Sequence, residues 1–451
     1  MDDPRAAALQ VLDRLEQNRQ TLDALLDSAA ARLGGLDRRD RALFNQIVFG
    51  VPRWRLRLDA VAAAYADRPL EKMAPSIRNI LRLGLLQILF MDRIPASAAV
   101  NTAVNLARAS RAPHAAGLVN ALLRNVLRHP QRFCLPDAAA SPLEHIAVAK
   151  SFPQWLIARW VDRWGLAETE RLCDAMNTIP PLTLRCNELK NQPAELIRVV
   201  EPQVAGIETL RDLPGAINLI HPRCPVAEMR AFGDGRFTVQ DGGAQLVSLL
   251  LDPQPGETVL DACAGLGGKT THLAQMMKNQ GTLIALDNQS HKLTRLKKEA
   301  HRLGVSIIRT RTLDLNRPPA PDTLPRFDRI LLDAPCSGLG VLRRNPDAKW
   351  SSRESDAPRL AQQQRRFLDH LAPLVKPGGL LVYAVCSMEP EENESVIEHF
   401  LKTHVNFVIT SRHMPGQKTV LPFLDPKGFL RTVPHLHLMD GFFAARLQRT
   451  D

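Results

Sequence analysis

The spacing of hydrophobic and polar positions changes along this 451-residue chain. In residues 1–135, apolar residues recur every three or four positions, which predicts amphipathic helices. The clearest stretches are Ala6–Leu15, Asp40–Ala60, Ile77–Phe90, Ser97–Ala107 and Ala115–Leu127. From Glu257 onward, short apolar runs alternate with longer helical patterns, which predicts a parallel β-sheet with helices on both faces. We therefore expect an all-α part followed by an α/β part.

The predicted strands of the α/β part are short apolar runs, most of them ending at a polar residue. They are Thr258–Asp261, Thr282–Asp287, Ile307–Thr312, Arg329–Asp333 and Leu380–Val385. Between the two parts, a helix at Ser151–Gly165 and a strand within Pro180–Lys190 indicate a small α+β linking subdomain. The expected domains are therefore 1–135, 140–235 and 236–451.

Composition narrows the class of protein. The formal net charge of +11 favours a polyanionic partner, either nucleic acid or an acidic membrane surface. Seven cysteines, an odd number with no C-x-x-C pair, argue against a disulfide framework and against a zinc site. The first ten residues lack a long apolar core, and Ile77–Met91 is too short and too charged to span a membrane. We expect a cytoplasmic protein without a metal.

A glycine-rich loop, Cys263–Ala274, follows the first predicted strand and runs into a helix. Glycines let the backbone approach a ligand, and a helix N-terminus favours polar or anionic groups. The loop fits neither the dinucleotide fingerprint G-x-G-x-x-G nor a Walker A loop. Asp287 and Asp314 follow the next two strands, where carboxylates can bind a ribose and an adenine, although each alone is equally a turn or helix cap.

Two cysteines follow predicted strands in the same way. Asp333, Pro335 and Cys336 come after one strand, and Cys386 comes directly after another. Ligands of open α/β sheets bind outside the carboxyl ends of the strands, so we expect both thiols to face one substrate. Carboxylates at successive strand ends favour a nucleoside-type cofactor, which could be a nicotinamide dinucleotide or S-adenosyl-L-methionine. A nicotinamide cofactor would need a hydride site with a placed His or Lys, whereas thiols suit covalent attack on a base. Plain buried hydrophobic cysteines are the alternative.

Four motifs carry a resemblance to a known family: DACAGLGGKT (Asp261–Thr270), DAPCSG (Asp333–Gly338), RRNPDAKW (Arg343–Trp350) and YAVCSMEPEENE (Tyr383–Glu394). They resemble the RNA cytosine-5 methyltransferases of the Fmu/Sun type, often called the 16S ribosomal RNA methyltransferase B family. The helical part resembles the NusB-like RNA-binding domain in Arg39–Asp59, Arg82–Val104 and Leu118–Arg128. The resemblance covers nearly the whole chain, to a last strand in Asp440–Arg449. It implies a Rossmann-like class I methyltransferase core that uses S-adenosyl-L-methionine.

The resemblance also implies a reaction and roles for residues. The thiolate of Cys386 would add to carbon 6 of a flipped cytosine in small-subunit ribosomal RNA, and carbon 5 would take the methyl group. Cys336 would assist product release, and Asp333 would act as an acid near N3 and N4. The residues carried over for cofactor binding are Cys263, Ala264, Gly265, Leu266, Gly267, Gly268, Lys269, Asp287, Asp314 and Asp333. No metal is implied.

Positive charge near the thiol loop adds a further expectation. Arg343, Arg344 and Lys349 follow that loop, and we expect them to contact RNA phosphates. Arginine-rich helix faces at Arg38–Arg41, Arg53–Arg57 and Arg124–Arg132 are either solvated surface or further phosphate contacts.

The chain departs from the family motifs at two places. Gly265-Leu266 replaces the usual Ala-Pro, and Val385 replaces the usual Thr before the nucleophile. Two alternative functions stay open: the same chemistry on transfer RNA, and a noncatalytic RNA-binding or ribosome-assembly factor. The intact Cys336, Cys386 and Lys269 argue against the second alternative. We expect a monomer.

Overall fold

The structure, a computed structural model, describes residues 3–17, 20–210, 212–213, 215–410 and 418–451. The chain divides into two units. The first contains Met1–Thr178 and Leu342–Glu354, and the second contains Ile179–Val341 and Ser355–Asp451. None of the described helices combines the length and the apolar character that crossing a lipid bilayer requires.

The first unit is helical through residue 177. Its helices are α1 (Pro4–Gln17), α2 (Leu22–Leu33), α3 (Arg38–Tyr65), α4 (Pro75–Phe90), α5 (Ala96–Ala109), α6 (Ala116–Arg128), α7 (Pro142–Lys150), α8 (Gln154–Trp164) and α9 (Leu166–Asn177). Every helix predicted in residues 1–135 is present, because the apolar stripes of α1, α3, α4, α5 and α6 share one hydrophobic core. Helix α2 was not predicted, although Thr21 caps it by accepting a hydrogen bond from the Ala24 N–H.

The second unit begins with a small antiparallel sheet. Its elements are β1 (Leu182–Cys186), α10 (Pro193–Val200), β2 (Gly206–Thr209), β3 (Ala216–Ile220), α11 (Arg230–Gly233) and β4 (Phe237–Val239). The strand order is β2-β3-β1-β4, with every pair antiparallel. One face packs on α10 and buries Leu184, Leu196 and Phe237 among other apolar residues.

A larger sheet forms the rest of this unit. The remaining elements of the chain are α12 (Gly242–Leu251), β5 (Thr258–Asp261), α13 (Gly268–Met276), β6 (Thr282–Asp287), α14 (Ser290–Leu303), β7 (Ile308–Thr312), β8 (Phe327–Asp333), α15 (Ala348–Ser351), α16 (Asp356–Leu371), β9 (Val375–Val385), α17 (Glu394–Thr403), β10 (Phe407–Ile409), β11 (Leu430–Thr432), α18 (Pro434–His437) and β12 (Phe442–Arg449). Of these, α15 belongs to the first unit. The strand order is β10-β12-β9-β8-β5-β6-β7, and β11 pairs with β12.

The central strands β7, β6, β5, β8 and β9 are parallel, as the alternating pattern predicted. The edge differs, because β12 runs antiparallel to β9, β10 and β11. A short connection joins β11 to its neighbour β12, and a connection of this kind gives an antiparallel pair. Hydrophobic clusters cover both faces of the sheet, so the fold is a Rossmann-like α/β layer structure with one antiparallel edge.

The segment Leu342–Glu354 is part of the helical unit, and its lysine is buried there. The Lys349 side chain has no exposed surface. Its Nζ donates hydrogen bonds to the carbonyl oxygens of Arg53 and Ser151 (both 3.2 Å) and to Asn177 Oδ1 (2.7 Å). It also lies 3.5 Å from the centre of the Phe152 ring. The prediction that Lys349 contacts RNA phosphates is therefore wrong, because its neighbours enclose the ammonium group.

Arg343 in the same segment is also buried. Its carbonyl oxygen accepts a hydrogen bond from Arg53 Nη2 (2.7 Å), and the Asp347 carboxylate accepts one from the Leu22 N–H (3.0 Å). The predicted phosphate contact is therefore wrong for Arg343 too, whereas Arg344 is half-buried. The segment packs as a structural insert of the helical unit.

The three arginine-rich faces have different environments. Arg53 is buried, Arg55 lies over the Trp350 ring at 5.5 Å, and Arg57 lies over the Phe133 ring at 4.6 Å. This middle group packs within the unit. The other two groups are exposed: Arg38, Arg39, Arg41, Arg124, Arg128 and Arg132. The exposed groups present positive charge to solvent, where a polyanion could bind them.

Candidate active site

The parallel strands bring most of the predicted site residues to one edge of the large sheet. Strands β6, β5 and β8 end at Asp287, Asp261 and Asp333, and β9 ends directly before Cys386. These strands are neighbours in the order β6-β5-β8-β9, and Asp333 pairs in register with Ala384. Their carboxyl ends therefore form one continuous row of functional groups.

The structure brings the two cysteines that follow these strands together. The Sγ atoms of Cys336 and Cys386 are 3.3 Å apart, and both side chains are half-buried. The Ala334 N–H donates to the Ala384 carbonyl oxygen (2.9 Å) and the Gly340 N–H to the Cys386 carbonyl oxygen (2.9 Å), which holds the two loops side by side. The hydrogen bond with Cys386, followed by burial, raises the pKa of Cys336 well above its ordinary value.

A lysine from the glycine-rich loop lies beside the thiols. Lys269 Nζ is 2.7 Å from Asp333 Oδ2, and it lies 5.0 Å from the centre of the Phe442 ring. Burial alone lowers the pKa of Lys269, but the charge and the hydrogen bond of Asp333 outweigh it, and Cys386 adds to the rise. The net shift is upward, so Lys269 is a cation. A cation at this position favours negative charge on a nearby sulfur.

The glycine-rich loop crosses from β5 to α13 under tight constraints. The Ala264 N–H donates to the Leu286 carbonyl oxygen (2.8 Å), and the Gly265 N–H donates to Asp287 Oδ2 (3.0 Å). Gly267 has φ +90°, and a Cβ added to it would lie 2.5 Å from Leu296 Cγ. Only glycine fits this position, so the loop conformation depends on it.

The other loop residues have varied environments. Cys263 is half-buried, and burial raises its pKa well above the ordinary value. Gly265 has φ +56°, whereas Leu266 is 49% exposed at the tip of the loop. Gly268 begins α13 and is followed by Lys269. The departure Gly265-Leu266 therefore lies in a left-handed turn that the hydrogen bond from Gly265 to Asp287 holds.

The two predicted aspartates after β6 and β7 also close local turns. Asp287 Oδ1 accepts from the Gln289 N–H (2.8 Å), and Asp314 Oδ1 accepts from the Asn316 N–H (3.0 Å) and Nδ2 (2.8 Å). These hydrogen bonds lower the pKa of Asp314, which is exposed. Asp314 lies on the same side of the sheet as the glycine-rich loop because β7 is two strands from β5 in the sheet, and not because of a contact with the loop. Each oxygen of Asp287 accepts one hydrogen bond and has a second lone pair, and both hydrogen bonds from Asn316 end on Oδ1 of Asp314, so each carboxylate can still accept from the hydroxyl and amino groups of a nucleoside.

Sequence reasoning missed two residues beneath the loop. Arg185 of β1 donates from Nη1 to the Gly268 carbonyl oxygen (2.6 Å) and from Nη2 to Thr271 Oγ1 (2.9 Å). Burial lowers the pKa of Arg185 to about 9. Asp261 accepts from Thr270 Oγ1 (2.7 Å), and burial raises the pKa of Asp261 to about 7. The available signal for Arg185 was a single charge inside an otherwise uncharged strand.

A buried glutamate joins the two thiol loops and was also missed. Glu392 Oε1 accepts from the Ser337 N–H (2.9 Å) and Gln364 Nε2 (3.1 Å). Glu392 Oε2 accepts from the hydroxyls of Ser337 and Ser387, both at 2.5 Å. Four glutamates lie close together in this motif, Glu389 is buried as well as Glu392, and their spacing does not indicate which one joins the two loops. Among the described residues, no group of three or more His, Cys, Asp or Glu side chains could hold a metal ion.

Three family models match parts of this chain. The family model described as 16S rRNA methyltransferase RsmB/F matches residues 248–448. The NusB family model matches residues 2–128. A model described as a ferredoxin-like domain of RsmF/B-like methyltransferases matches residues 152–227.

Full-length relatives and a solved structure are also similar. The "Probable ribosomal RNA small subunit methyltransferase B" of Bacillus subtilis (strain 168) is 36% identical over 451 residues, 99% of this chain and 98% of the relative. A Synechocystis protein of the same description is 37% identical, covering 99% of each chain. The crystal structure of PH0851 superposes with a TM-score of 0.81 at 28% identity, covering 100% of this chain and 99% of the other.

Proposed function

Because this chain belongs to the ribosomal RNA small subunit methyltransferase B family, we propose that it methylates carbon 5 of a cytosine in 16S ribosomal RNA. The reaction proceeds through a transient bond between a cysteine sulfur and carbon 6 of the base. The observation that carries this proposal is the pair of thiols 3.3 Å apart beside the Lys269–Asp333 ion pair. Carbon 5 of cytosine is a poor nucleophile, and addition of a thiolate at carbon 6 makes it reactive.

The donor set of the loop fits S-adenosyl-L-methionine, which supplies an electrophilic methyl group when bound. Residues Cys263–Lys269 would hold it, and the Asp287 and Asp314 carboxylates would accept hydrogen bonds from its nucleoside part. The fit rests on two observations. A Cβ added to Gly265 would meet no atom within 4 Å, so the loop backbone is open to a ligand at that point, and both carboxylates keep free lone pairs.

The local charges support Cys386 as the nucleophile. Lys269 is a cation that interacts electrostatically with Cys386, so its charge is placed to act on the sulfur that attacks the base. Cys336 has a raised pKa and stays a thiol that hydrogen-bonds to the other sulfur. Asp333 binds the N3–N4 edge of the base, and the neighbouring Lys269 balances the charge that moves onto the ring during addition.

The covalent cycle then balances as follows. The Cys386 thiolate adds to carbon 6, and the electron pair moves toward N3, where a proton is taken up. Carbon 5 would then take the methyl group, whose bond to the donor sulfur breaks with the electron pair left on that sulfur, and N3 gives up the proton that it took up. The carbon 5 proton leaves to a base, the bond from carbon 6 to sulfur breaks, and its electron pair returns to Cys386. The hydrogen bond from Cys336 stabilises the departing sulfur, which is how it assists release.

The RNA partner is supported by charge and by the relatives. The net charge of +11 and the exposed arginines of α3 and α6 favour a polyanion. The named relatives act on small-subunit ribosomal RNA. The target base must leave its stack before two half-buried sulfurs can reach it.

The test is methylation of unmethylated 16S ribosomal RNA, both naked and in small subunits, with labelled S-adenosyl-L-methionine. Nuclease digestion and mass spectrometry of the wild-type reaction should give 5-methylcytidine, and Cys386→Ala should give none. A different methylated nucleoside would contradict the proposal. Preferential methylation of transfer RNA would support that alternative substrate. Binding of the donor without transfer to any RNA would support a noncatalytic assembly factor.

A further inference from the structure

We propose that Glu392 is a positioning residue that ties the two thiol loops together and keeps Cys336 beside Cys386 for product release. This inference rests on the proposed function. The motif match does not assign a role to Glu392, and the residue does not contact the sulfurs directly. It acts through Ser337 and Ser387, which directly follow the two cysteines in sequence.

The contacts of Glu392 connect three parts of the chain. Its side chain is fully buried, and its two oxygens accept four hydrogen bonds from Ser337, Ser387 and Gln364. The Ser337 and Ser387 hydroxyls are themselves 3.1 Å apart. The Tyr383 hydroxyl donates to the Glu392 carbonyl oxygen (2.6 Å), which fixes the backbone of the same residue. The carboxylate therefore links the two cysteine-bearing loops through side chains, in addition to the backbone hydrogen bonds that hold them side by side.

All four groups that donate to the carboxylate are neutral: two hydroxyls, one backbone amide and one carboxamide. A buried carboxylate is stable only while such donors surround it, so the two loops are held as a unit. Glu392→Gln replaces an acceptor oxygen with an NH₂ group, which cannot accept from a hydroxyl. Both hydroxyls would have to turn and accept from the NH₂ group, so the variant keeps the size of the side chain but exchanges two charge-assisted hydrogen bonds for weaker neutral ones.

The carboxylate also acts on the state of Cys336. The hydrogen bond with Cys386 is the largest cause of the raised pKa of Cys336, followed by burial, and the charge of Glu392 adds to them. Cys336 therefore keeps its proton and can donate it to the sulfur of Cys386. If the loops separate, the departing sulfur loses that hydrogen bond, and the covalent adduct with RNA lasts longer.

The first test needs no RNA. Diamide accepts the two protons and two electrons of a thiol pair, and peptide mass mapping measures the rate at which Cys336 and Cys386 form a disulfide. We expect Glu392→Gln to slow this rate at least tenfold. Glu394→Gln is the matched control, because Glu394 pairs with Arg431 (2.6 Å), and it should stay within twofold of wild type. Equal rates in all three proteins would overturn the proposal.

The second test follows the reaction. With 16S ribosomal RNA and S-adenosyl-L-methionine, Glu392→Gln should accumulate a covalent adduct on denaturing gels, as Cys336→Ala should. Its affinity for the methyl donor should stay within twofold of wild type. Joint loss of donor affinity, adduct and melting temperature would instead indicate a purely structural role and would overturn the proposal.

A milder variant, Ser387→Ala, keeps the proposal testable if Glu392→Gln does not fold. Ser387→Ala removes one donor and should give an intermediate slowing of disulfide formation, whereas an unchanged rate would count against the proposal. If wild type forms neither 5-methylcytidine nor adduct, the proposed function fails, and the diamide result still decides whether Glu392 positions the thiols.

Discussion

Lys349→Met tests whether this residue stabilises the helical unit or binds RNA. The variant removes the donor to three buried acceptors, the carbonyl oxygens of Arg53 and Ser151 and Asn177 Oδ1. At about 1 kcal/mol for each hydrogen bond, the loss is about 3 kcal/mol. Methionine fills a similar volume and avoids the cost of burying an amine, so we expect a net loss of about 2 kcal/mol.

The assay is thermal unfolding of the full-length protein, measured by differential scanning calorimetry. A loss of about 2 kcal/mol should lower the melting temperature of the helical unit by roughly 4–8 °C, from the usual response of units of 150–250 residues. The control is Lys427→Met, because that side chain is 66% exposed, and its melting temperature should be unchanged.

RNA binding at several salt concentrations provides the opposing readout. If Lys349 contacted a phosphate, Lys349→Met would lose that contact. The slope of log affinity against log salt concentration would then be shallower in the variant by roughly 0.7–0.9. We expect no change in that slope. An unchanged melting temperature together with a shallower slope would refute the assignment of Lys349 as a buried structural residue.

Three further predictions concern the site. Lys269→Met removes the cation paired with Asp333 and should lower the single-turnover methylation rate by about 10²–10³-fold, whereas a loss below tenfold would contradict its role. Gly265→Ala places a side chain at φ +56° and should cost about 1 kcal/mol, or about fivefold in calorimetric affinity for the methyl donor; unchanged affinity would contradict the loop geometry. Asp261 has a folded pKa of about 7, above its unfolded value of about 3.9, so its stabilising contribution is present at low pH and lost as pH rises to 7. Asp261→Asn should remove that part of the pH dependence of the unfolding free energy. Parallel plots of unfolding free energy against pH for the variant and the wild type would contradict this prediction.

The sequence was sufficient to predict those elements of the fold whose apolar residues follow a regular pattern of burial. Strands β5 and β6 have the bounds predicted for them, because strands buried on both faces are continuous apolar runs. The residues that follow β8 and β9 were sufficient to predict that Cys336 and Cys386 lie close together. The antiparallel strand β12 pairs with β9 on one side of the central sheet, and an alternating strand–helix pattern contains no signal for that direction.

Charge was a poor guide to the environment of individual side chains. Lys349 and Arg343 lie in a basic motif, and only the packing of neighbouring helices shows that both are buried. Glu392 and Glu394 are two positions apart, yet one is buried between the thiol loops and the other pairs with Arg431. Such differences depend on tertiary contacts, which local sequence patterns do not encode.

The most direct measurement of the central claim is the identity of the bond between protein and RNA. Cys336→Ala is incubated with 16S ribosomal RNA and S-adenosyl-L-methionine, the adduct is digested, and the cross-linked peptide is sequenced by mass spectrometry. The account predicts 5-methylcytidine attached to the peptide that contains Cys386. Attachment to any other residue, or normal turnover without an adduct, would contradict it.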